Sequence, residues 1–126
     1  MFTENELSGI IVDVSIKIHS KLGPGLLESV YETILCYELR KLDLFVERQK
    51  DIPVVWDGIN MDIGFRADLI VENKVIVETK SVENIHPSHP KILLTYLRVT
   101  DLKLGLLINF GEKYLKDGIK RVVNNL

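Results

Sequence analysis

Residues 65–82 read FRADLIVENKVIVETKSV. Two apolar runs, Ala67–Val71 and Val75–Val77, flank the turn-forming Glu72-Asn73-Lys74, the pattern of a short hairpin. A three-residue loop pairs Val71 with Val75 and sets Asp68 opposite Glu78. Directly opposed residues of an antiparallel pair share a face, roughly 4.5–5.5 Å apart at Cβ. Lys80, two residues beyond Glu78, points the same way. Two facing carboxylates repel, and burying either is costly unless a positive group sits between them. A divalent cation held by Asp68 and Glu78, with Lys80 beside it, resolves that conflict. The bland alternative is a structural cross-strand pair of Asp68 with Lys80, which leaves Glu78 unexplained.

Outward from this hairpin, the preceding text is also strand-like. Phe45-Val46 and Ile52–Trp56 lead into Asp57-Gly58, a strong turn signal, and then into Ile59–Ile63. Pro53 points to an edge position or a strand start. Further upstream, Leu7, Ile10, Ile11, Val14, Ile18 and Leu22 recur at helical spacing and predict a helix over 4–21. Gly23-Pro24-Gly25 stops it, and a second helix is expected from about Leu26 to Leu42. His19 is expected to meet the terminal carbonyls of the first helix. Glu28 and Tyr31 lie on one face of the second, where the plain reading is a dipole-complementing acid and a packed tyrosine with a wet hydroxyl. Cys36 sits among apolar neighbours and reads as a small buried side chain rather than a nucleophile.

Downstream, Asn84–Pro90 (NIHPSHP) reads as a loop. His86 and His89 have no third histidine or cysteine to complete a metal site, so a surface loop is expected. Pro90 opens a helix over 90–100, Leu102–Phe110 reads as a strand buried on both faces, and Gly118 leaves Tyr114–Val123 open between strand and helix. The order predicts one domain over residues 1–126, α+β or mixed α/β, with helices packed on a central mixed sheet. There is no nucleotide-cradling glycine loop and no G-x-S-x-G. No apolar run approaches the roughly 20 residues of a membrane span, and MFTENELSG lacks the regions of a signal peptide, so the cytoplasm is the expected compartment.

Charge is lopsided. Residues 1–88 hold 9 Lys and Arg against 15 Asp and Glu, whereas residues 89–126 hold 7 against 3. The basic part contributes Lys91, Arg98, Lys113, Lys116, Lys120 and Arg121 as candidate phosphate contacts. On charge alone, two solvated surfaces explain the pattern equally well.

Asp68 followed ten residues later by Glu78-Thr79-Lys80, in an apolar strand before a helix, resembles the core of the PD-(D/E)XK nuclease superfamily. Gly25-x-x-Glu28-x-x-Tyr31, with RADLIV, VIVETK, LLTYLR and GLLINFG, resembles within it the family named for its GxxExxY motif, from about Ile11 to Asn124. The resemblance implies a restriction-endonuclease-like sheet flanked by helices and a Mg²⁺- or Mn²⁺-dependent phosphodiesterase acting on nucleic acid. It implies Asp68 and Glu78 as metal-binding carboxylates, Lys80 as the lysine that positions or activates water, and Glu28 as the acid from an N-terminal helix that joins the metal site, directly or through water. Hard carboxylate oxygens suit Mg²⁺ or Mn²⁺, which supply a Lewis acid for phosphodiester cleavage. Relatives place a Gln four residues before the tyrosine of the following helix; here that position is Ile92, before Tyr96. Two function classes therefore stand, a metal-dependent nuclease and a non-enzymatic interaction module on the same fold. Targeting is left to a partner protein or a homo-oligomer.

Overall fold

A computed structural model describes all residues, 1–126. Helices α1 (Glu4–Leu22) and α2 (Glu28–Lys41) precede strands β1 (Val46–Trp56), β2 (Ile59–Val71) and β3 (Val75–Lys80). Helix α3 (Ser88–Thr100), strand β4 (Leu104–Asn109), a 3₁₀ turn (Leu115–Gly118) and strand β5 (Ile119–Val123) complete the chain. The five strands form one mixed sheet in sequence order. All neighbours are antiparallel except β3 and β4, which run parallel because α3 carries the chain back across the sheet. The mixed α/β architecture of helices on a central sheet is as the sequence indicates. No helix is long and apolar enough to cross a membrane.

Helices α1 and α2 cover one face, where Leu7, Ile11, Tyr31 and Leu35 meet Val75, Val77, Leu106 and Phe110. Helix α3 covers the other with a smaller core built from Leu93, Leu97, Ile70, Ile76 and Leu107. The first helix is fixed at its start by a capping box, Thr3 and Glu6 each bonding the other's backbone N–H. Cys36 is buried in the larger core. Strand β4 is buried at every position, as its unbroken apolar run requires.

Four details depart from the sequence expectation. Strands β1 and β2 are long and continuous, with a register shift between Pro53 and Val55 where the ladder absorbs extra residues of β2. Pro53 is tolerated there because β1 is an edge strand. Helix α3 opens at Ser88 rather than Pro90, because the Nδ1 of His86 accepts the Ser88 N–H and satisfies an orphan donor of the first turn. His19 bonds through Nε2 to the carbonyl oxygen of Glu112, far along the chain, instead of its own helix end; that carbonyl of the helix is taken by the Gly23 N–H.

Tyr31 is the fourth. Its ring stacks on Phe110 at 4.6 Å, and its hydroxyl is not wet. It donates to the Gly23 carbonyl and accepts from the Leu26 N–H, tying down the loop between α1 and α2. Tyr31→Phe leaves two loop groups to find other partners, and unfolding is expected to become easier by about 1–2 kcal/mol. A melting temperature equal to that of the unaltered chain would show the loop to be held by something else.

Candidate functional site

The register of the central hairpin is Leu69 with Val77, Ile70 with Ile76 and Val71 with Val75, which carries Asp68 to the position opposite Glu78. There the backbone ladder stops and side chains take over. Glu78 Oε2 accepts the N–H of Asp68 at 2.8 Å, and Asp68 Oδ2 accepts the N–H of Thr79 at 2.9 Å. The Thr79 hydroxyl adds a bond of 3.2 Å to the same oxygen. Each carboxylate is thus pinned to the other's strand by one oxygen.

On its other side Asp68 faces Gln49 of β1, and that pair too is missing from the ladder. Gln49 has φ 51°, an uncommon conformation for a side-chain-bearing residue. Alternation reverses at this point. Phe65 and Ala67 pack toward α3, whereas Leu69 and Val71 pack toward α1 and α2. On β1, Ile52 and Val46 divide the same way. Regular pleating would put each set on one face. The turnover aims Asp68 into the notch between strands, and Gln49 Nε2 reaches both Glu32 Oε1 at 2.7 Å and Asp68 Oδ1 at 3.3 Å.

Helix α2 closes this side. Glu28, at its first position, and Glu32, one turn on, line a cleft of about 540 Å³ with Arg48, Gln49 and Asp68. Arg48 Nε bonds Glu32 Oε2 at 2.8 Å. Burial raises the Glu28 carboxyl above the usual range, opposed by Lys80 and reinforced by Asp68 and Glu32. Burial likewise raises Glu32, with Arg48 and Gln49 pulling it back.

Beyond Glu78 lies a smaller cavity of about 190 Å³, lined by Glu78, Lys80, His89, Ile92, Tyr96 and two core leucines. Glu78 is only 9% exposed. Its pKa is pushed up to about 8, first by burial and then by the charge of Asp68, with the Asp68 N–H and Lys80 working the other way. Lys80 takes part in none of the chain's four ion pairs, so its ammonium is not locked to one carboxylate. Tyr96 is held by stacking on Phe65 at 3.8 Å. A larger hollow of about 580 Å³ lies farther out on the β1–β2 hairpin, lined by Asp51, Asp62 and Arg66 and by none of the notch residues.

The end of β3 is fixed by β4. Buried Asn109 accepts the N–H groups of Val82 and Gly111 at 3.0 Å each and donates to the Val82 carbonyl at 2.9 Å. A Cβ on Gly111 would stand 2.3 Å from that carbonyl oxygen, so only glycine permits this closure. The clamp sets the chain directly after Lys80.

Asp68, Glu78, Lys80 and Glu28 therefore gather around one notch. The six basic candidates do not share a surface. Lys91 and Arg98 are exposed on α3, while Lys113 and Lys116 border a cleft beside α1. Lys120 pairs with Leu107 and Arg121 with Leu106, which places them on opposite faces of the sheet, and Arg121 bonds Asn5 of α1. Sequence reading passed over Glu32, Gln49 and Asn109, and set His89 in a surface loop. His89 lies in the first turn of α3, not a surface loop, and its buried Nδ1 has no partner. Burial, Lys80 and His86 lower its pKa. Its spacing of three from Ile92, one helical turn toward the site, was the available signal.

The donor set suits a hard divalent cation. Glu78 Oε1 makes no hydrogen bond and Asp68 Oδ1 only the long one from Gln49, and a cation there would relieve the mutual repulsion that raises Glu78. No group of three or more acidic, histidine or cysteine side chains stands close enough to cage an ion. Mg²⁺ is commonly held by one or two carboxylates, with waters and substrate phosphates filling its shell.

No curated protein and no solved structure matches the chain. A family model described as the PD-(D/E)XK nuclease superfamily matches residues 5–122, spanning both helices of the first layer, the whole sheet core and α3. With Asp68 and Glu78 bonded across two strands and Lys80 on the next outward position of the same face, the chain belongs to the PD-(D/E)XK nuclease superfamily.

Proposed function

We propose that this protein is a divalent-cation-dependent phosphodiesterase acting on nucleic acid. The observation that carries the reading is the Asp68–Glu78 pair, pinned by one oxygen each and leaving the other oxygens available, with an unpaired Lys80 beside it. Asp68 Oδ1 and Glu78 Oε1 would hold Mg²⁺ or Mn²⁺, which when bound supplies Lewis acidity to the scissile phosphate. Lys80 donates to a phosphate oxygen and orients the attacking water, stabilising charge that develops at phosphorus. Glu28, next to Lys80 and Asp68 in charge terms, orders water on the α2 side. Arg48 and Gln49 hold Glu32 and steady the rim. Gly25, Glu28 and Tyr31 support placement in the GxxExxY family.

Of the basic residues, Lys91 stands near the start of α3, the helix whose His89 and Ile92 line the cavity with Lys80, and is proposed as a phosphate contact at its exposed edge. Arg98, Lys113, Lys116, Lys120 and Arg121 would add phosphate contacts only along a longer path. A second reading, a nucleic-acid or protein interaction module without turnover, is favoured by one observation. Ile92 lines the cavity with Glu78 and Lys80 where an amide is expected, and brings no donor.

The deciding experiment incubates the chain with single- and double-stranded DNA and RNA, with Mg²⁺ or Mn²⁺ and with a chelator, alongside calorimetric ion titration. Cleavage that needs the ion and vanishes on chelation is expected. No cleavage together with no ion binding would end the phosphodiesterase reading, whereas ion binding without cleavage, repaired by Ile92→Gln, would identify the defect.

A further inference from the structure

The β1–β2 hairpin runs well past the rest of the sheet. β3 pairs with β2 only from Leu69 to Val71, and α3 reaches the arm last through Tyr96 on Phe65 and through contact with Ile52. Residues 53–64 beyond that point are two strands alone, an arrangement marginal in water by itself. Trp56 pairs directly with Ile59, so the two share a face, and Met61, two residues on, joins them. Trp56 is 68% exposed, Ile59 61% and Ile63 74%, and Val55 and Met61 are exposed too. Trp56, Ile59 and Met61 thus make one exposed apolar face at the tip of the arm, a contiguous patch rather than scattered residues.

The arm carries one sign of charge. Residues 51–65 contain Asp51, Asp57 and Asp62 and no Lys or Arg. Asp51 pairs with Arg66, but Asp57 and Asp62 have no ion pair. A phosphate backbone would be repelled here. The matching surface is an apolar trough with a cationic rim, and the chain has one. A cleft of about 430 Å³ between α1 and the 3₁₀ turn is lined by Ile16, Pro24, Tyr114 and Leu115, with Lys113 and Lys116 at its edge and no acidic residue in its wall.

We propose that the hairpin tip of one copy docks in this trough of a second copy, and reciprocally, so that two equivalent contacts build a two-fold dimer. Trp56 packs against Ile16, Pro24 and Tyr114, and Asp57 lies between Lys113 and Lys116. Tip-to-tip association would instead oppose aspartates of like sign. The inference is independent of the phosphodiesterase reading, because its test needs neither ion nor nucleic acid.

Sedimentation equilibrium of the full chain over a range of concentrations and salt supplies the test. A dimer that loosens with salt is expected, and Trp56→Ala should raise its dissociation constant by about thirty-fold or more, the scale of a hot-spot tryptophan. Asp57→Lys alone and the double substitution Lys113→Asp with Lys116→Asp should each be monomeric with unchanged circular dichroism. Mixed together they should associate, since one tip contact is then native and the other reversed but still attractive. An unaltered chain that stays monomeric throughout, a dimer that survives Asp57→Lys, or folded charge-swapped partners that fail to associate would each overturn the proposal.

Discussion

Lys80→Ala is expected to lower turnover of a nucleic-acid substrate by about 10²–10⁴-fold, the usual range for a residue that moves or orients a proton in the transition state. Ion affinity measured by calorimetry should hardly change, because the ligand oxygens belong to Asp68 and Glu78 and Lys80 is paired to neither. Lys80→Arg should not restore activity. The guanidinium cannot give up a proton, and its planar fork presents a different shape from the slender amine in the cavity shared with Glu78, His89 and Tyr96. If both substitutions act only through melting temperature, with Ala costing more than Arg, Lys80 is a structural cation and the phosphodiesterase reading loses its central residue.

Glu78→Gln should have the largest effect on stability, and its sign depends on pH. With the pKa of Glu78 raised to about 8 in the folded chain, against 4.5 for an ordinary glutamate, the folded state binds the proton more tightly than the unfolded state. Stability is then full below about pH 4.5, is lost as pH rises toward about 8, and is level above that. At one pKa unit per roughly 1.4 kcal/mol the loss amounts to a few kcal/mol. Glu78→Gln removes the ionisation while its amide oxygen still accepts the Asp68 N–H, so its melting temperature should be flatter across this window and higher at the alkaline end. Mg²⁺ should raise the melting temperature of the unaltered chain at alkaline pH and leave Glu78→Gln unmoved. Parallel pH profiles for the two proteins would mean that Glu78 ionises without strain.

What the sequence made legible was mostly local. The three-residue loop at 72–74 determined the register, and the register determined that Asp68 opposes Glu78. Helical spacing located α1 and α2 to within two residues. What stayed hidden depends on residues distant in the chain. The reversal of faces at Gln49 and Asp68 has no compositional signature, because two ordinary strands read the same on either side of it. Glu32 reads as one more surface acid of an amphipathic helix until β1 brings Arg48 and Gln49 against it. Asn109 sits in an apolar run, and its role depends on Val82, which is neither its sequence neighbour nor its strand partner. The basic residues divide for the opposite reason. Their clustering along the chain is real, but a strand sends successive side chains to opposite faces, and Lys120 and Arg121 part company there.

The two amides that donate into carboxylates make the notch a built-in reporter. Most strand N–H groups bond to carbonyls whose basicity never changes, but those of Asp68 and Thr79 bond to the carboxylates of Glu78 and Asp68. The proton resonance and solvent exchange of the Asp68 N–H therefore follow the charge of Glu78, and an ion held by both acids would move the Thr79 N–H as well. Titrating an isotopically labelled chain with Mg²⁺ would shift these two signals while neighbouring β3 amides, locked in the ladder with β4, hold still. Occupancy of the site can thus be followed from the backbone, without a substrate and without altering a single residue.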